Sequence, residues 1–146
     1  MKTEDRVINK RPGFTFTRAW ARGQLLQLVA TASSLAALVA LLDPDMVAAV
    51  MGLFLVGVNG YSQFYAIYVG VRLAIAGLAM LAARRGDQPI LGDLVAFFLL
   101  AQPVGRLVAA FAIGLPHGSL LIVSGIELLA GVGLLALRPR DRKHSP

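Results

Sequence analysis

Four long apolar stretches, separated by short clusters of charge, proline and glycine, set the pattern of this chain. They cover residues 23–42, 62–83, 90–113 and 119–137. Each is close to the ~20 residues that an α-helix needs to cross ~30 Å of hydrocarbon. The first ends at Asp43-Pro44-Asp45, where proline cannot continue a helix and aspartate favours turns and N-caps. A fifth apolar piece, 46–58, has only 13 residues and is followed by Asn59 and Gly60. It is too short to span, and reads as a re-entrant or interfacial half-helix ended by Gly57, Asn59 and Gly60. The second span ends at Arg84-Arg85-Gly86-Asp87, Pro89 opens the third, and Gly114-Leu115-Pro116-His117-Gly118 makes an uncharged turn into the fourth.

The expected fold is therefore all-α: an integral membrane four-helix bundle with a short outer half-helix between spans one and two. Segment 1–22 is expected to be a basic cytoplasmic arm, 23–137 the membrane domain and 138–146 a basic cytoplasmic tail. Charge supports this orientation. Segment 1–22 carries a net +4 from Lys2, Arg6, Lys10, Arg11, Arg18 and Arg22 against Glu4 and Asp5. The link after span two carries +1 and the tail, with Arg138, Arg140, Arg142 and Lys143 against Asp141, carries +3. The connection 43–61 carries −2, so the positive-inside rule puts both termini in the cytoplasm and the protein in the inner (plasma) membrane. Phe14, Phe16 and Trp20, alternating with Thr15, Thr17 and Arg18, suit a segment at headgroup level or a simple aromatic anchor.

Composition narrows the function classes. The hydrophobic fraction is 57% and mean hydropathy +0.70, well above soluble domains. The net charge of +6 sits at the ends of apolar runs, which membrane topology explains without nucleic acid. With no cysteine there is no disulfide, haem-attachment or thiolate metal motif. His117 and His144 lie too far apart to make a metal site, no catalytic serine–histidine–acid set is evident, and no cofactor is expected. Asp43 and Asp45 invite a cation, but a hard cation wants about six oxygens, so a turn with Asp45 capping the next helix is the preferred reading.

The chemistry lies inside the spans. Arg72 falls at the midpoint of the second, and a guanidinium at that depth must find a carboxylate, water or backbone carbonyls. At 100° per residue Tyr61, Tyr65, Tyr68 and Arg72 share one face, while Ala66, Gly70, Ala74 and Gly77 form an opposite stripe suited to close helix packing. The tyrosines also fit an interfacial belt. Leu99, Gln102, Arg106 and Ala110 share a face of the third span, and Ser124, Glu127 and Gly131 one of the fourth. Arg106 and Glu127 lie about 10 and 12 Å from the outer ends of their spans, and Arg72 about 15 Å, within reach of a long side chain. The expected cluster is Arg72, Arg106 and Glu127, flanked by Gln102, Ser124, Tyr65 and Tyr68. Asp93 lies nearer the inner end, where Arg84 or Arg85 can pair with it. Pro103 removes one backbone hydrogen bond from the third span and is expected to kink it.

Tyr68-Val69-Gly70 with Gly77-Leu78, then Gly105-Arg106, the glycine-containing outer turn and Glu127, resemble a bacterial family of small four-helix membrane proteins known only as a domain of unknown function. The resemblance runs from about Pro44 to Leu137. It implies the four-helix fold and favours the Arg106–Glu127 pair. The family pattern is Tyr-Gly-Gly where this chain has Tyr68-Val69-Gly70, with a neutral polar residue in place of Arg72. No activity comes with it.

One arginine and Glu127 would make a complete structural pin, whereas two arginines leave an excess positive charge that suits an anion. The expectation is a non-enzymatic membrane module, binding an anionic or lipid-like molecule or serving as an accessory subunit. Its expected partners are membrane lipids, further copies of itself or a partner membrane protein. The alternatives are a small oligomeric proton-coupled transporter using Glu127, and an intramembrane enzyme acting on lipid.

Overall fold

A computed structural model describes residues 17–139, and the expectations that fall on 1–16 and 140–146 lie outside the described residues. The described chain is all-helical. We label the helices α1 (Arg18–Leu42), α2 (Pro44–Val50), α3 (Gly57–Arg84), α4 (Pro89–Ile113) and α5 (Ser119–Ala136). All but α2 are long and apolar enough to cross a bilayer, and α3, with 28 residues, is the longest. Only 17–33% of their most apolar windows is buried within the protein. Phe97, Phe98, Phe111 and Leu129 are among the large apolar side chains left outside, an exterior that suits hydrocarbon rather than water.

Three element boundaries differ from expectation. Helix α1 starts five residues early, at Arg18, because Thr17 caps it: its Oγ1 accepts from the Trp20 amide at 3.2 Å. Arg18, Trp20 and Arg22 are thus helical. The outer half-helix shrinks to α2, seven residues long, with Pro44 in its first turn. Its cap is Asp43, not Asp45: Asp43 Oδ1 accepts from the Met46 amide at 3.0 Å, while Asp45 Oδ1 accepts from the Tyr61 hydroxyl at 2.6 Å. Gly57, Asn59 and Gly60 do not end that piece but begin α3, with Gly57 at a φ of 63° that suits glycine alone.

Within α3, Tyr65–Val71 is wound as a π-helix. Each π residue advances by less than 100°, so residues before and after this stretch fall out of the α-helical phase. Small residues draw α1 and α3 together: Ala30, Ala37 and Ala40 are buried on α1, and Ala76, Ala79 and Ala82 on α3. The stripe of Ala66, Gly70, Ala74 and Gly77 is therefore not the packing face; all four are exposed. Helix α4 packs on α5, where Gly131 is essential to the approach. A Cβ there would lie 2.6 Å from Leu100 Cγ and 3.2 Å from the Ala96 carbonyl oxygen. The main core joins Leu26, Val29 and Ala30 to Ile75, Ala79, Val95, Leu99 and Leu134, and a smaller cluster of Ala40, Ala48 and Phe64 holds the α2 end. Ser119 Oγ donates to the Val50 carbonyl, tying the end of α2 to the start of α5.

Gly131→Val should therefore destabilise the fold by ~1–3 kcal/mol through overpacking. Gly77→Ala, where a Cβ meets nothing within 4 Å, should be neutral or slightly stabilising. Unfolding midpoints in detergent check the contrast, and equal effects would mean that the α4–α5 contact is misplaced.

Candidate functional site

Three helices deliver the charges of the main site. Arg72 follows the π-helical stretch of α3, Arg106 comes from α4 one turn after Pro103, and Glu127 from the middle of α5. Glu127 is buried, with 4% of its side chain exposed, and each of its oxygens takes one arginine. Arg72 Nη2 donates to Oε1 at 2.6 Å, and Arg106 Nη1 donates to Oε2 at 2.6 Å. Gln102 Oε1 bridges the same pair, accepting weakly from Arg72 Nη2 at 3.4 Å and from Arg106 Nη2 at 3.3 Å. The guanidiniums are partly buried, at 13% and 19% side-chain exposure. Formal charge in the cluster is +1, and neither the Nε nor the Nη1 of Arg72 has a protein acceptor among the described residues.

Two cavities flank this cluster on different sides of α5. The larger, about 510 Å³, lies between α1 and α5 under α2. Val29, Ala36 and Val39 form one wall, Val47 and Val50 the roof, and Val123 and Ile126 the other wall, with Arg72, Glu127, Tyr68 and Ser33 as the polar lining. It forms because α1 and α5 touch only sparingly, each packing mainly on another helix. The second, about 440 Å³, lies between α4 and α5 and is lined by Pro103, Arg106, Leu107, Leu121 and Ser124.

Of the flanking residues expected from sequence, Gln102 bonds the charges directly, Tyr68 shares the larger cavity with Arg72, and Ser124 shares the smaller with Arg106. Tyr65 is not brought to the cluster. It is 36% exposed and stands edge-on to Phe64 at 6.1 Å between ring centroids, whereas Tyr68 stacks on Phe64 at 4.6 Å. The π-helical winding is the reason, since it breaks the common face of Tyr61, Tyr65, Tyr68 and Arg72.

A second charge site lies at the other end of the bundle. Asp93 does not pair with Arg84 or Arg85; Arg22 Nη2 donates to its Oδ1 at 2.5 Å, and Arg138 Nη1 lies 3.3 Å from Oδ2. Sequence reading missed Arg22 by placing it before the first span. Its helical phase carried the signal, because Arg22, Leu26, Val29, Ser33, Ala37 and Ala40 form a single buried face. Among the described residues no group of three histidine, aspartate or glutamate side chains is disposed to hold a metal.

Neither a family model, nor a curated protein, nor a solved structure matches this chain.

Removing Glu127 strands two cations, while removing Arg72 leaves Glu127 still paired with Arg106. Glu127→Gln should therefore cost about 3–5 kcal/mol, as for breaking other buried ion pairs, and more than Arg72→Gln. Equilibrium unfolding of both variants in one detergent decides it; a larger loss for Arg72→Gln would contradict the shared-carboxylate geometry.

Proposed function

We propose that this is a multi-pass membrane protein, both termini cytoplasmic, whose outer site binds an amphipathic molecule with an anionic head and an apolar chain. The observation that carries the reading is the surplus cation at the edge of an apolar cavity: Arg72 lines that cavity with donors its protein partners leave unused. A carboxylate or phosphate head would take those donors in charge-assisted bonds. The chain would lie along Val29, Ala36, Val39 and Ile126, in a volume within the usual range for small-molecule sites. Arg106, Glu127 and Gln102 hold the Arg72 guanidinium in place. The same geometry favours a binding module over a proton-coupled carrier. Both Glu127 oxygens are already engaged by arginines, so a carrier working through this carboxylate would have to break two ion pairs in every cycle. The basic segments at one end support the orientation and an inner (plasma) membrane location.

Protein released gently from membranes should retain an amphipathic adduct in native mass spectrometry, and should bind added palmitate once stripped. Arg72→Gln should weaken palmitate at least about tenfold, the scale of one charge-assisted hydrogen bond. Ala36→Phe, which fills the cavity without touching the charges, should do the same. Unchanged binding in both folded variants, or none in the wild type, would refute the proposal.

A further inference from the structure

The basic end of the bundle contains a small cavity, about 60 Å³, far from the Arg72 site. Its lining includes Arg22 from α1, Arg85 and Gly86 from the α3–α4 link, and Gln88, Pro89 and Gly92 from the start of α4. Arg22 is 5% exposed and gives only Nη2 to Asp93. Its Nε is buried with no hydrogen-bond partner, alone in this among the buried side-chain polar atoms of the described residues. A buried N–H of a charged group is costly to leave unpaired, so an acceptor belongs beside it.

Three further features give that acceptor its sign. Asp93 shares its single negative charge between Arg22 and Arg138 and is absent from the cavity lining, so a guest meets the cations and not the carboxylate. Arg85, a second basic residue, also lines the cavity. Helix α4, 25 residues long, starts here with no side-chain cap and no acidic residue in its first turn, so the positive end of its dipole faces this region, although Pro89 brings no N–H and the Leu91 N–H is taken by the Gln88 carbonyl. Gly92 makes the arrangement feasible. A Cβ at that position would lie 2.8 Å from Arg22 Nη2 and 3.2 Å from its Nε, so any other residue would push the guanidinium off the helix.

We propose that Arg22 and Arg85, beside the positive end of α4, form a binding site for a phosphate-type oxyanion, either a phospholipid headgroup or free phosphate. The cavity has room for about two water volumes, enough for the oxygens of such a group to enter while the rest stays outside. Basic pockets between helices on the cytoplasmic side of membranes have this chemistry. The site is independent of the outer cavity and of the function proposed for it.

The test uses the full-length protein in neutral detergent, titrated with phosphatidylglycerol by native mass spectrometry and with inorganic phosphate by calorimetry. Arg85 and Arg84 are both exposed, but only Arg85 lines the cavity, which makes Arg84→Gln the matched control. At least one probe should bind the wild type, about tenfold more weakly to Arg85→Gln and Gly92→Ala, and within about twofold of wild type to Arg84→Gln. Binding of phosphatidylglycerol alone identifies a headgroup site, and binding of both probes a free-phosphate site. Binding of neither means that water alone fills the cavity and overturns the proposal. Equal weakening by Arg84→Gln and Arg85→Gln also overturns it, since that is diffuse attraction to a basic surface. Should Gly92→Ala fail to fold, the Arg84 and Arg85 pair decides.

Discussion

One carboxylate shared by two guanidiniums organises one half of this protein. Glu127 is the only acidic side chain at its depth among the described residues, and it fixes α3 and α4 against α5 through Arg72 and Arg106. Four helices of apolar surface have little reason to prefer one rotation over another in hydrocarbon, because lipid tails are as apolar as the side chains that would replace them. A buried ion pair supplies that preference. Its cost is asymmetric: an arginine without its partner at this depth is far worse than a helix rotated by a few degrees.

The opposite end repeats the device with different helices. Asp93 of α4 is held by Arg22 of α1 and by Arg138 just after α5. Together the two acids tie all four long helices, and between them lies an alanine-rich core in which α1 and α3 approach closely. The two ends differ in what they leave open. At one end α1 and α5 diverge and leave a large apolar space beside Arg72; at the basic end the helices close to a small space beside Arg22.

The same sequence features had different outcomes in different places. Small residues at helical spacing occur on both sides of α3, and only the side that includes Ala76 and Ala79 is packed. Glycine marked a stop at 57 and 60 by composition, yet these residues start a helix, because the positive φ of Gly57 turns the chain into it. A fixed 100° projection put Tyr65 with Arg72, and seven residues of π-helix moved it away. In each case a local rule met a choice that neighbouring helices make.

What the sequence determined by itself was the number and place of the long apolar helices and the depth of the charges on them. Helix rise is constant, so Arg106 and Glu127 could be levelled against each other by counting, and Arg72 came within reach of both through the length of its side chain. Tertiary structure decided the rest. The start of α1 at Thr17, the pairing of Arg22 with Asp93 and the gap between α1 and α5 all depend on which faces meet, and apolar faces in a uniformly apolar chain look alike. At mid-span, charge is scarce enough for Arg72, Arg106 and Glu127 to declare one another in advance; near the ends basic residues are several, and hydrocarbon is everywhere too plentiful to do so.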